Sequence, residues 1–192
     1  MQVLLENIQN NKTYNNQNLQ VFGFYGNPML INNTIILESN NNVTVYLITT
    51  SLDFVTQVNL KIVCKGHNNN VTVKSLNISG ENSSITNIVG VTVEKSTHNN
   101  SANVSIKNYL LYNNCKILSR PDLYIFSDDV KCSHGCSMGY FNKEQIFYLH
   151  SKGIVNAKQF LLQGIIDSMI KEIKMANNFT KSLIDVQRLI SN

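Results

Sequence analysis

Along the first 114 residues, apolar and polar positions repeatedly alternate. Val58-Asn59-Leu60-Lys61-Ile62 and Val71-Thr72-Val73 do so strictly, and Val43-Thr44-Val45-Tyr46 does so before running into the apolar Leu47-Ile48. Residues 85–93 and 104–111 repeat the habit, and 123–126 ends the series as its last strand. A period of two sends successive side chains to opposite faces, so each run predicts a short strand with one face buried. Between the runs lie Asn40-Asn41-Asn42, His67-Asn68-Asn69-Asn70, Gly80-Glu81-Asn82-Ser83 and His98-Asn99-Asn100-Ser101. Asparagine tolerates the left-handed backbone region and its amide bonds its own backbone, so these segments predict sharp corners.

The strands recur at a spacing of roughly 13 to 19 residues, the cadence of a solenoid whose turns stack around one continuous core. The alternative is an antiparallel sandwich, whose turn signals come about every 8–12 residues. The fold class expected is mainly β, a β-solenoid, followed by a small C-terminal helical domain.

From residue 142 the period becomes helical. Asn142 with Gln145 predicts an N-cap and its capping-box partner, and the helix runs through Ile146, Phe147 and Leu149 to a stop at Gly153. Asn156 with Gln159 repeats the device, and Phe160, Leu161, Ile165, Ile166, Met169, Ile170 and Ile173 then fall on one stripe. Thr180 caps a last helix carrying Leu183, Ile184, Val186, Leu189 and Ile190. The chain thus divides into a β part, residues 1–141, and a helical part, residues 142–192. Such stripes pack on a core or offer a ridge to a partner; for the last helix both readings stay open.

Composition narrows the class. Asparagine supplies 30 of the 192 residues, while charged residues make up only 15%, well below the globular norm of about 25%. A hydrophobic share of 43% excludes a disordered chain, and four cysteines without tryptophan exclude a disulfide-dense mini-domain. The net charge of +4 is scattered, so nucleic-acid binding is not expected. No run of about 18 apolar residues exists to span a membrane. The start, Met1-Gln2-Val3-Leu4-Leu5-Glu6, lacks the charged and apolar regions of a secretory signal, which predicts a cytoplasmic protein with reduced thiols. Sequons such as Asn42-Val43-Thr44, Asn70-Val71-Thr72 and Asn103-Val104-Ser105 arise by chance in so Asn-rich a chain.

The densest chemistry is Asp128-Asp129-Val130-Lys131-Cys132-Ser133-His134-Gly135-Cys136, between the last predicted strand and the first helix. Two thiols and an imidazole could accept zinc or iron, though the spacing is not that of a closed structural zinc site. If this run is a strand, Cys132, His134 and Cys136 share one face, as a ligand cluster or as a buried edge. Cys115 and His150 are available as a fourth ligand but nothing singles them out. Asp128 and Asp129, being adjacent, would point to opposite faces, so one caps a turn rather than both forming an acid–base pair. A Cys132 nucleophile beside His134 would lack a group to orient the imidazole. There is no Walker A loop and no Rossmann glycine fingerprint. An enzyme is not expected.

The run Arg120-Pro121-Asp122-Leu123-Tyr124-Ile125-Phe126-Ser127-Asp128-Asp129-Val130-Lys131-Cys132-Ser133-His134-Gly135, preceded by Asn108-Tyr109-Leu110-Leu111 and followed by Gln145-Ile146-Phe147-Tyr148-Leu149-His150-Ser151-Lys152-Gly153-Ile154, resembles the C-terminal signature of the SufB/SufD family of iron–sulfur cluster assembly proteins, the SufD branch in particular. The close match covers about a quarter of the chain; order and spacing extend it over most of residues 85 to 190. The resemblance implies a right-handed parallel β-helix with a small helical domain. It also implies a non-enzymatic scaffold that pairs with a SufB-like subunit, or with itself, and docks SufC-like ABC ATPases. A transient iron–sulfur cluster or iron would then sit at the subunit interface. The family's functional histidine maps onto His134, with Cys132 and Cys136 as possible additional ligands. ATPase docking maps onto the helical region, here Phe147, Leu161, Ile165, Met169, Ile173 and Leu183.

Departures from the family pattern are clear. The chain is much shorter than usual, so the solenoid is pared down or the sequence is part of a longer one. Cys136-Ser137 stands where the family has small residues without a thiol, and His150 where arginine is common. Two other readings remain: a stand-alone β-solenoid that binds partners or carbohydrate through surface Asn and Tyr, and a Cys/His metalloprotein acting alone.

Overall fold

A computed structural model describes the protein at residues 1–5, 8–26 and 28–173. Leu183 and the predicted last helix lie outside the described residues. In chain order the elements are β1 (Gln2–Leu4), β2 (Lys12–Tyr14), β3 (Asn18–Tyr25), β4 (Met29–Leu37), β5 (Asn42–Ser51), β6 (Val55–Cys64), β7 (Asn70–Ser79), β8 (Ser84–Val93), β9 (Asn100–Leu110), β10 (Lys116–Ile125), β11 (Val130–Tyr140), α1 (Lys143–Ser151) and α2 (Ala157–Glu172). The odd strands form one sheet, β1-β3-β5-β7-β9-β11, and the even strands the other, β10-β8-β6-β4-β2. Every pairing is parallel and joins a strand to the next but one in sequence. The chain is a β-solenoid of about four turns, which excludes the antiparallel sandwich.

In-step register stacks like on like. Leu19, Val43, Val71 and Ala102 form one interior column of the odd sheet; Val21, Val45, Val73 and Val104 form the next. All eight side chains are buried in the main core cluster between the sheets. Full burial of such aliphatics stabilises by about 1.5–3 kcal/mol each.

The corners use asparagine as expected, at positive φ: Asn16 at 53°, Asn40 at 58°, Asn68 at 57° and Asn99 at 52°. Their amides do more than serve their own turns. Asn40 donates to Asn16 (2.9 Å), Asn68 to Asn40 (3.0 Å) and Asn99 to Asn68 (2.9 Å), an exposed ladder across the turns. Beside it runs a buried ladder. The backbone N–H of Asn41 donates to Asn69 Oδ1 (3.1 Å), and that of Asn69 to Asn100 Oδ1 (2.9 Å). Backbone polar groups at a tight, buried corner need partners, and these side chains supply them.

Helix α2 lies on the outer face of the odd sheet. Leu162 and Ile166 pack with Ile48, Leu76 and Ile78, and Ile173 packs with Phe22 and Tyr46. This corrects the phase of the predicted stripe. The buried line runs through Ala157, Leu162, Ile166 and Ile173, whereas Phe160 is 57% exposed. Helix α1 is capped by Asn142, whose side chain accepts from the Glu144 N–H at 2.8 Å. It stops at Gly153 (φ 82°), where Ile154 N–H reaches Leu149 O and Gly153 N–H reaches His150 O. That paired closure needs a left-handed residue, which glycine provides at no steric cost.

The two ends of the solenoid differ. At the first turn Leu5 and Ile8 fold into the core cluster and are buried, while Val3 and Ile31 are partly covered. At the last turn Leu123, Ile125, Val130 and Cys132 face the same core but are only partly covered.

Candidate functional site

The sequence placed residues 128–136 after the last strand; the structure makes Val130–Tyr140 a strand of its own, the final one of the odd sheet. Its eleven residues pair in register with β9. Pairing with an existing edge, rather than intrinsic preference, extends this Ser- and Gly-rich segment. The preceding corner is held by Asp129, whose carboxylate accepts from Asn99 N–H (2.8 Å) and whose carbonyl accepts from Asn100 N–H (3.4 Å). Asp129 is therefore the turn-capping member of the Asp pair, and it continues the column of corner asparagines.

Register decides which face of β11 carries the chemistry. Cys132 stands over Ala102, His134 over Val104 and Cys136 over Ile106, three buried interior residues. Three interior columns of the solenoid thus end in a thiol, an imidazole and a second thiol. No further strand pairs with β11 on its other side among the described residues. His134 and Cys136 are exposed, and Cys132 is half-buried. Among the described residues no three His, Cys, Asp or Glu side chains converge to hold a metal ion. The row is an open set of donors, not a closed cage.

The thiols sit in different surroundings. Burial pushes the Cys132 thiol up, partly offset by a backbone hydrogen bond at Ala102. Cys64, deep in the core, is pushed up to about 12 by burial first and by the nearby Cys132 thiol second. In both, burial disfavours the thiolate by desolvation. Cys115 is buried in a corner and donates to Tyr112 O (2.8 Å), and His150 is exposed on α1, so neither joins the row.

The candidate docking residues on the helices divide by burial. Phe147, on α1, is 75% exposed. Leu161, Ile165 and Met169 are partly covered, and Ile173 is 4% exposed against Phe22 and Tyr46. Sequence reasoning missed Leu162, the buried anchor of α2. It also missed Asn108, whose amide donates to Cys136 Sγ (3.3 Å).

A groove of about 600 Å³ lies away from this end. It lies on the outer face of the even sheet, lined by Asn32, Asn59, Lys61, Arg120, Asp122 and Tyr124 among others. Asn59 donates to Asn32 (2.7 Å) while its own Oδ1 is buried without a hydrogen-bond partner among the described residues, and Arg120 pairs with Asp122 (2.9 Å).

Fold and register thus define a parallel β-solenoid with helix α2 laid on one face and soft donors at one end. Residues 29–165 match the family described as SUF system FeS cluster assembly, SufBD core domain, and the chain belongs to that family. It is similar to the iron–sulfur cluster assembly protein SufD of Escherichia coli, 36% identical over 69 residues, 35% of this chain and 16% of that protein. It is similar also to an iron–sulfur cluster assembly SufBD family protein of Synechocystis, 30% identical over 73 residues, 37% of this chain and 16% of that protein. A SufBD family protein of Pyrococcus horikoshii is 25% identical over 89 residues, 45% of this chain and 19% of that one. The matched stretches therefore span about a fifth or less of these relatives' lengths. No described helix is long and apolar enough to cross a membrane.

Proposed function

We propose that this chain is a non-enzymatic scaffold subunit of a cytosolic iron–sulfur cluster assembly complex. Its open end pairs with a SufB-like subunit, or with a second copy of itself. The cargo, iron or a nascent cluster, is held at that junction by His134 together with donors from the partner. Helices α1 and α2 dock a SufC-like ATPase, with Phe147 as an exposed contact and Ile165, Met169 and Ile173 fixing α2 in place.

One observation carries this reading: the buried interior columns give way, at the last described turn, to Cys132, His134 and Cys136. A neutral imidazole is a good ligand for iron, and an incomplete donor set suits cargo that must leave again. The test is co-expression of the tagged chain with the SufB-like and SufC-like proteins of the same genome. The expected result is a stable complex holding both. His134→Ala should keep that complex but lower cluster maturation in cells; unchanged maturation would remove His134 from the site. The polar groove over Asn32, Asn59 and Tyr124 favours the carbohydrate reading instead. A glycan array that lights up, with no partner captured, would put that reading first.

A further inference from the structure

The interior polar residues of the solenoid distinguish between the two thiols of the open end. Asn108, on β9, is 1% exposed and uses its whole amide. Nδ2 donates to Cys136 Sγ (3.3 Å) and to Ser137 O (2.9 Å). Oδ1 accepts from Asn77 Nδ2 (2.8 Å) and from Ser119 Oγ (2.7 Å), the latter across from the even sheet. Asn77 in turn accepts from Asn87 Nδ2 (2.7 Å) through its own Oδ1, so its amide hydrogens are the ones left to face Asn108. This chain of bonds fixes which end of the Asn108 amide meets the sulfur. Cys136 is therefore held as a hydrogen-bond acceptor, the part a thiolate ligand plays. Cys132 differs: its side chain continues the column above Ala102 and packs into the aliphatic cluster, as a methyl-bearing residue would.

We propose that Cys136, paired with His134, is the thiol this chain offers to a divalent metal of iron(II) type, and that Asn108 is the residue positioning its sulfur. Cys132 fills the core. The inference rests on the reading that this end receives iron. Residues two apart on one strand face lie about 6.6 Å apart, a gap their side chains can close on one ion. Binding exchanges the thiol proton for the metal and moves no electrons. Outer partners that orient a ligand in this way typically carry about 10–100-fold in metal affinity.

The test uses cobalt(II) alone, titrated anaerobically into the purified full chain. The parent should develop a thiolate-to-cobalt charge-transfer band. Cys136→Ser should abolish it, His134→Ala should weaken binding, and Cys132→Ser should leave the band in place. Asn108→Ser should weaken binding about tenfold. Should that variant fail to fold, Ser119→Ala removes the hydroxyl that locks the Asn108 amide and should weaken binding in the same direction. A parent without the band, a band lost with Cys132 but not with Cys136, or unchanged affinity in both Asn108→Ser and Ser119→Ala would overturn the assignment. Any of these alongside intact capture of the SufB-like partner would refute the ligand choice and leave the scaffold reading standing.

Discussion

Single residues at the corners meet the tightest steric demands. A Cβ on Gly66 would lie 2.4 Å from Glu38 O and 2.4 Å from Ser39 Oγ. Glu38 O is backbone and already accepts from Asn69 Nδ2 at 2.7 Å, so it cannot give way freely. Gly66→Ala should cost about 1–3 kcal/mol as overpacking, read as a lower urea midpoint; an unmoved midpoint would mean that the corner yields. Cys64 makes a prediction about pH. Its thiol is pushed up to about 12 in the folded chain, whereas the unfolded chain releases the proton near the ordinary thiol value. A raised value means the folded state holds the proton longer. Its contribution is intact below that ordinary value and is lost as pH climbs toward 12. Cys64→Val removes this titration, so between neutral and strongly alkaline pH its melting temperature should fall less than the parent's. Equal falls would show that Cys64 is not the group responsible. The corners were readable from sequence because tolerance of positive φ belongs to asparagine itself. The ladders were not, because they depend on which turns stack, and spacings of 24, 28 and 31 residues between bonded asparagines hide the repeat.

Two elements show where pattern reading stops. Runs such as 58–62 and 71–73 announced strands because one of their faces meets a core and the other meets water. Strand β11 has little such contrast: its inward row is Cys132, His134 and Cys136, and its outward row is Ser133, Gly135 and Ser137. The shared face of the donors was foreseeable if the segment was a strand; that this face is the interior one follows only from register with Ala102, Val104 and Ile106. Helix α2 was placed correctly along the chain, but the apolar run Phe160-Leu161-Leu162 fits more than one phase. The groove between Ile48, Leu76 and Ile78 selects Leu162 and leaves Phe160 outside. This division predicts opposite behaviour for two substitutions. Ile166→Ala, at a fully buried site, should cost about 2–5 kcal/mol in chemical unfolding. Phe147→Ala should change stability by no more than about 0.5 kcal/mol yet reduce capture of the SufC-like ATPase. Were Phe147→Ala to retain full capture, α1 would not be the docking contact.

For the whole molecule, the two ends of the described solenoid offer unlike edges. At the first turn the edge strands β1 and β2 are three residues long, and Leu5 and Ile8 are buried in the core there. At the last turn β10 and β11 present ten and eleven residues of edge, over half-covered Leu123, Ile125 and Val130. Long open edges template further pairing, while short ones blunt it. Were both edges equally able to pair, head-to-tail stacking would continue into fibres; pairing confined to the long last-turn edge is end to end and stops at two. On the proposed function that partner is a second copy or a SufB-like chain, so a cargo site at the junction would see two sets of donors. Light scattering across a concentration series should therefore reach a plateau at two solenoids, one of each kind when the SufB-like chain is present. Leu123→Lys, which sets a charge on the open end, should hold the chain as a folded monomer with its β-sheet circular dichroism intact. Growth beyond two would show that the first-turn edge pairs as well, and a dimer that survives Leu123→Lys would place the contact elsewhere on the molecule.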